Sequence, residues 1–243
     1  MRGLWRALCA ALLGSVSAYV HASVSVSGTR VIYPEQNKQV SVRLSNDGNH
    51  PVLVQAWVDT GDASAKPEAL SVPFMLMPPV FRMEAGKAQV IRLSYTKEPL
   101  PQDRESVFWL NVLEIPPKAQ ASGESQNSLQ IAYRTRIKLF FRPRDLKGDP
   151  TEAAQKVRWS VLKTDHGFAL RAENPTQFAV SYSTLGVRTP GKTVQATPGM
   201  VMPFDAATFP LSGDIGGIPR PLKIEYSTIN DYGALVPAET SLP

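Results

Sequence analysis

The longest regular pattern of hydrophobic and polar residues in the chain lies between Ser128 and Pro143. Odd-numbered positions from Leu129 to Phe141 are mostly apolar, and even-numbered positions from Gln130 to Arg142 are mostly polar or cationic. A period of two residues is typical of a β-strand with one buried face. Sixteen residues at about 3.4 Å each would span roughly 54 Å, whereas an ordinary strand spans roughly 17–20 Å.

A strand of this length is expected to extend beyond the domain that holds it and to leave an unpaired edge. The overhanging part would carry Leu129, Ile131 and Tyr133. Exposed edges pair readily with other chains, and peptide-binding proteins use such edges for β-strand addition. The edge therefore predicts that the protein binds a partner chain by strand addition. The alternative is that these three side chains belong to the core of their own domain.

Shorter alternating segments predict further strands in the first half of the chain, at 24–33 with an interruption at Gly28, and at 40–44, 52–58, 88–95 and 107–115. The turn residues 46–49, Asn-Asp-Gly-Asn, predict a hairpin between the strands at 40–44 and 52–58. No amphipathic helix is evident between 23 and 143. These features favour an antiparallel sandwich of the immunoglobulin type.

The segment 144–150 carries charge, Gly and Pro without an apolar period, which is typical of a domain boundary. After it, strands are predicted at 159–162, 168–172, 178–182 and 224–229, while 199–221 gives no clear pattern. The predicted fold is therefore all-β, with one domain at 23–144 and a second, less regular β domain at 145–243.

The first 22 residues have the pattern of a secretory signal peptide: Arg2 and Arg6, an apolar run, and then the small-x-small sequence Val20-His21-Ala22. The apolar run is too short to span a bilayer comfortably, and no later stretch has the roughly 20 apolar residues that a spanning helix needs. The single cysteine, Cys9, lies inside this segment. The mature protein is expected to be exported, without membrane insertion and without disulfides.

Sequence motifs give no support for an enzyme, a metal site or a cofactor. Only His50 and His166 follow the signal segment, and both lie beside turn residues. The chain has no nucleophile elbow, phosphate-binding loop or zinc-binding helix motif. The basic cluster at 134–144 could bind nucleic acid, but an exported protein rarely meets any, and only Phe140 interleaves its polar face.

Several motifs together resemble those of one family. The most specific is LPQDRESVFWLNVLEIP at 100–116, and weaker matches are GTR at 28–30, TRIKLFFRP at 135–143, ENPT at 173–176 and INDYG at 229–233. On these residues the chain is similar to the periplasmic pilus (fimbrial) chaperones of the PapD-like chaperone–usher group, over nearly all of the mature sequence.

The resemblance implies two immunoglobulin-like domains set at an angle, with a cleft that receives a pilus subunit. Such a chaperone binds, folds and caps the subunit in the periplasm by donor-strand complementation, and then delivers it to an outer-membrane usher. By motif position, the resemblance implies that Leu129, Ile131 and Tyr133 form the donor strand. It implies that Arg30 and Lys138 anchor the subunit's C-terminal carboxylate. It also implies an interdomain charge network of Glu105, Arg142 and Asp231.

Without the resemblance, Arg30 and Lys138 would be interpreted as ordinary solvated strand residues. Two rival functions also stand at this point: a secreted adhesin or structural binding protein with immunoglobulin-like domains, and an exported β-barrel hydrolase using one of the two histidines. A further hypothesis is that the free protein covers its exposed apolar edge by forming a homodimer.

Overall fold

The computed structural model describes residues 23–117, 130–189, 191–217 and 221–242. Buried hydrophobic side chains form two separate clusters, one drawn from residues 24–141 and the other from residues 153–242. Each cluster lies between two β-sheets. The predicted all-β architecture with two sandwiches is thereby confirmed, while the domain boundary placed between 144 and 145 stays a prediction.

The described residues of the first sandwich form nine strands: β1 (Val24–Val26), β2 (Arg30–Pro34), β3 (Val40–Asn46), β4 (Val52–Asp59), β5 (Phe74–Met77), β6 (Val80–Met83), β7 (Ala88–Tyr95), β8 (Ser106–Ile115) and β9 (Tyr133–Arg142). One sheet has the order β1-β3-β7-β5 and the other β2-β9-β8-β4-β6. All pairings are antiparallel except that of β2 with β9, which is parallel.

The second sandwich follows a short helix, α1 (Pro150–Lys156), and contains β10 (Arg158–Thr164), β11 (Gly167–Glu173), β12 (Val180–Thr189), β13 (Lys192–Gln195), β14 (Met200–Val201), β15 (Ala206–Pro210), β16 (Leu222–Ile229) and β17 (Leu235–Leu242). Its sheets have the orders β10-β11-β15 and β13-β12-β16-β17, with β14 attached to β12. Helix α1 begins where Asp149 accepts a hydrogen bond from the Thr151 N–H at 2.8 Å, with Pro150 in the first turn.

The predicted hairpin at 46–49 is wrong. Strand β3 pairs with β1 and β7, whereas β4 pairs with β6 and β8 in the opposite sheet. The connection therefore crosses from one sheet to the other. Buried Asn46 holds this crossing, because its side-chain amide donates to the His50 carbonyl at 2.8 Å and to the Met83 carbonyl at 3.3 Å.

The long strand predicted at 128–143 is also corrected, since β9 has ten residues and begins at Tyr133. Its antiparallel ladder with β8 ends at the pair Tyr133–Glu114. Upstream of that pair, no strand among the described residues pairs with the chain. The alternating sequence pattern therefore continues beyond the point where the ladder stops. Leu129 and the signal segment 1–22 lie outside the described residues.

Candidate functional site

Strand β2 places Arg30 beside Lys138, because the parallel register of β2 and β9 runs from Arg30–Lys138 to Pro34–Arg142. Gly28, just before β2, adopts a φ of 95°. That left-handed conformation suits glycine, and it lets the chain leave the sheet of β1 and enter the sheet of β9. The even-numbered, polar face of β9 is thereby combined with one additional cation from β2. Arg30 and Lys138 are called the cation pair below.

Arg30 is partly buried and reaches the second sandwich. Its Nη1 donates to the Ile229 carbonyl at 2.8 Å, and its guanidinium lies 5.3 Å from the ring centroid of Phe140. Its buried Nε has no hydrogen-bond partner. Burial lowers the pKa of Arg30, and the carboxylates of Asp231 and Glu105 partly offset that change.

Lys138 also reaches across to the second sandwich, where its Nζ donates to the Ser181 hydroxyl at 3.1 Å. Burial, followed by repulsion from Arg30, lowers the pKa of Lys138 to about 8. Within the ranges that the structure describes, neither member of the cation pair forms a salt bridge. Two half-buried cations held only by neutral oxygens form a site that favours an anion.

Arg142, four residues along β9 from Lys138, is in a contrasting environment. Its Nε lies 2.7 Å from Glu105 Oε1, while Nη1 and Nη2 donate to the two oxygens of Asp231 at 2.6 and 3.0 Å. Burial opposes the charge of Arg142, but the hydrogen bond to Asp231 and the charge of Glu105 outweigh it and raise the pKa. The structure thus brings Glu105, Arg142 and Asp231 together, and these three are called the charge network.

Glu105 connects the two sandwiches directly. It is only 3% exposed, its Oε2 accepts from the Ala179 N–H at 2.9 Å, and its own N–H donates to the Gln177 carbonyl at 2.9 Å. Burial raises the pKa of this carboxyl, against the opposing charge of Arg142. These contacts explain why a carboxylate is accommodated at a position with so little exposure to solvent.

The turn at 230–233 positions Asp231 against the first sandwich. Asn230 Oδ1 accepts from the N–H groups of Tyr232 and Ala234 at 3.0 and 2.9 Å, which closes the connection between β16 and β17. Gly233 has a φ of 81°, and a Cβ there would lie 2.6 Å from the Thr29 hydroxyl oxygen. Only glycine permits this close approach to the residue that precedes Arg30.

A cavity of about 110 Å³ lies between the sandwiches at this point. Arg30, Phe140 and Arg142 line it from the first sandwich, and Ser181 and Asp231 line it from the second. Sequence reasoning missed Ser181 and the carbonyl of Ile229, because neither a serine in a strand nor a backbone oxygen carries a pattern of its own. The nearest signals are the ENPT motif, which ends five residues before Ser181, and the INDYG motif, of which Ile229 is the first residue.

The edge of β9 is open along its first half. Strand β2 covers only Lys138 to Arg142, whereas Tyr133 to Ile137 are paired with β8 alone within the described part of the chain. Tyr133 is half-buried at the start of the strand, and Ile131, just before it, is 50% exposed. Ile131 is therefore not part of the core, in contrast to Ile137 on the same face.

The two histidines of the described ranges lie in loops. His50 and His166 are both exposed, as expected for loop histidines. No group of three or more His, Cys, Asp or Glu residues is placed to hold a metal ion within these ranges. None of the helices described is both long and apolar enough to cross a membrane.

Two models of known protein families match the chain. Residues 23–147 match the family described as "Pili and flagellar-assembly chaperone, PapD N-terminal domain". Residues 152–240 match "Pili assembly chaperone PapD, C-terminal domain". Together the two matches span almost the whole described chain.

Two relatives are similar over nearly their full length. The probable fimbrial chaperone YadV of Escherichia coli K12 is 43% identical over 238 residues, covering 97% of this chain and 96% of YadV. The chaperone protein FimB/FhaD of Bordetella pertussis is 39% identical over 240 residues, covering 97% of this chain and 95% of the relative.

Solved structures agree with the sequence comparison. The crystal structure of YadV superposes with a TM-score of 0.78 at 42% identity, covering 90% of this chain and all of that one. The SafB chaperone, solved in complex with the Salmonella enterica SafA pilin, gives a TM-score of 0.74 at 32% identity, covering 90% of this chain and 96% of SafB. These likenesses confirm the expected pair of immunoglobulin-like sandwiches, and the chain therefore belongs to the PapD-like family of fimbrial chaperones.

Proposed function

We propose that this protein binds pilus subunits in the periplasm by strand addition along the open edge of β9. The observation that supports the proposal most directly is the juxtaposition of that edge with the cation pair. An incoming strand that pairs with Tyr133 to Ile137 would reach Arg30 and Lys138 at the end of the edge, where β2 takes over the pairing. A C-terminal carboxylate would meet two half-buried cations there.

In this proposal, Leu129, Ile131 and Tyr133 form the donor segment that fills the subunit's groove. Three large apolar side chains contribute about 1.5–3 kcal/mol each on burial, and a hydrogen bond to a charged group adds about 1.5–3 kcal/mol. The donor segment would thus supply most of the affinity. The cation pair would set the register, because a slip of one residue turns every apolar side chain away from the groove.

The likeness to SafB supports the proposal that a pilus subunit is the partner, since SafB was solved together with a pilin. Delivery to an outer-membrane usher is proposed on family membership alone. The proposed role is not enzymatic, because strand addition and charge pairing both draw on binding energy.

We further propose that the free protein caps its edge by self-association. Sedimentation at high concentration should then show dimers, and monomers alone would remove this part of the proposal.

A peptide experiment tests the anchoring step. We expect a peptide with the C-terminal strand sequence of a host pilus subunit to bind with its free carboxylate, and to bind at least tenfold more weakly as the C-terminal amide. Lys138→Met should reduce the difference between the two peptides, because only Arg30 remains of the cation pair. Lys163→Met, which changes an exposed lysine of β10, is the matched control. Equal binding of the acid and the amide to the native protein would refute the anchor.

A further inference from the structure

Glu114, near the end of β8, is a buried carboxylate that the proposed function does not use. Glu114 is only 7% exposed to solvent. Its Oε1 accepts from the Ser23 hydroxyl, and its Oε2 accepts from the Val24 N–H at 2.9 Å. Among the described residues, no Lys, Arg or His lies within salt-bridge distance of it. A buried carboxylate without a cation is energetically unfavourable.

Ser23 is held in a fixed place beside this carboxylate. Its carbonyl accepts from the Asp47 N–H at 2.7 Å, and the next residue, Val24, begins β1 opposite Asn46. Gly48 makes room for it, because a Cβ at position 48 would lie 2.5 Å from the Ser23 Cβ. The Ser23 hydroxyl and the Val24 N–H both donate to Glu114. The backbone nitrogen of Ser23 lies between these two groups along the chain and is therefore confined to the neighbourhood of Glu114.

The sequence provides an independent indication at the same place. The small-x-small pattern ends at Ala22, so cleavage by the usual rule would make Ser23 the first residue of the exported chain. Hydrolysis would add water across the Ala22–Ser23 bond, leaving a carboxylate on Ala22 and an amino group on Ser23. That amino group takes up a proton at neutral pH, because its ordinary pKa is about 7.7–8.0.

We propose that the signal segment is removed between Ala22 and Ser23, and that the new α-ammonium of Ser23 is the cation that pairs with Glu114. Processing would then complete a charge pair that joins β1 to β8 across the two sheets of the first sandwich. Glu114 is also the ladder partner of Tyr133. The charge pair therefore lies at the start of β9, where the strand is paired on one side only among the residues that the structure describes. Before cleavage, the same position holds an uncharged peptide nitrogen.

Mass measurement of the protein exported by its own host is the first test. The proposal predicts a mature chain of residues 23–243. A mature chain that begins at any other residue would overturn it.

A double-mutant cycle is the second test and does not depend on subunit binding. Four mature proteins are compared by urea unfolding: the chain beginning at Ser23, the same chain with one added glycine before Ser23, and both again with Glu114→Gln. We expect the added glycine to lower the folding equilibrium constant about tenfold when Glu114 is present, in the range of a hydrogen bond to a charged group, and to have little effect with Glu114→Gln. Equal losses in both backgrounds would contradict the pair, even if every variant folds.

Discussion

Three cations on one face of the first sandwich, Arg30, Lys138 and Arg142, differ chiefly in their partners. Arg142 is neutralised by two carboxylates, whereas within the described part of the chain Arg30 and Lys138 donate only to a backbone carbonyl and a serine hydroxyl. The first arrangement is complete within the chain and suits a structural role. The second leaves charge to be matched from outside and suits binding of an anion.

Lys138 should make the stability of the free protein depend on pH in a defined window. Its folded pKa, about 8, is below the ordinary lysine pKa of 10.5. Between these values the unfolded chain holds more protons at this site, so the contribution of Lys138 to the free energy of unfolding rises with pH. Urea unfolding from pH 7.5 to 10.5 should show this rise in the native protein, and Lys138→Met should lack it. Parallel curves would contradict the assignment.

Removal of Arg142 should be strongly destabilising, because it leaves Glu105 buried without its cation. Breaking such a pair typically lowers the free energy of unfolding by about 3–5 kcal/mol. We expect a loss of this size for Arg142→Met in chemical denaturation. Arg82→Met is the control, since Arg82 forms an exposed pair with Glu84 and its loss should change stability very little. Similar behaviour of the two variants would show that the charge network is not a buried one.

At the scale of elements, β9 has two parts with different roles. Residues 138–142 are paired on both sides, and their odd-numbered side chains belong to the core. Within the described ranges, residues 133–137 are paired on one side only, and Ile131 precedes them in an exposed position. A single alternating pattern in the sequence thus serves two environments.

Substitutions in the two parts should have different effects. Leu139→Ala should lower the free energy of unfolding by about 2–5 kcal/mol, because Leu139 is fully buried. Ile131→Ala should leave that free energy nearly unchanged and weaken binding of a pilus subunit. Urea unfolding and calorimetric titration with a subunit separate the two effects. A large loss of stability in Ile131→Ala would show that this residue belongs to the core instead.

The sequence predicted those elements whose pattern is set by local burial. The strand at 88–95 was placed correctly because its alternating side chains face a core on one side and water on the other. The hairpin at 46–49 was misplaced because turn residues do not specify whether the chain returns to the same sheet. Helix α1 was missed because its seven residues bury only Ala153, which gives no apolar period.

Site residues showed the same division. Arg30 and Lys138 could be named only through the family motifs, since a lone cation in a strand carries no signal of its own. Their proximity depends on the parallel register of β2 and β9, which links residues more than a hundred positions apart. Ser181 and the Ile229 carbonyl come from the other sandwich, so no local pattern could have placed them beside this pair.

At the scale of the whole molecule, the two sandwiches meet through a few charged and polar contacts around the cavity. Asp231 accepts two hydrogen bonds from Arg142, and Glu105 accepts one from the Ala179 N–H. We expect Asp231→Ala to leave both sandwiches folded and to loosen their relative orientation. Small-angle scattering should show a wider distribution of distances. Asp214→Ala, in an exposed loop of the second sandwich, is the control, and an unchanged Asp231→Ala profile would count against this role.

The central claim is that the cation pair anchors a pilus subunit to the open edge of β9. Affinity capture of the tagged protein from the periplasm of its own host, followed by mass identification, tests it most directly. The native protein and Lys163→Ala should both retain pilus subunits, and Lys138→Ala should lose them while remaining folded. If Lys138→Ala retains the same subunits as the native protein, or if the native protein captures none, the proposed mode of binding is wrong.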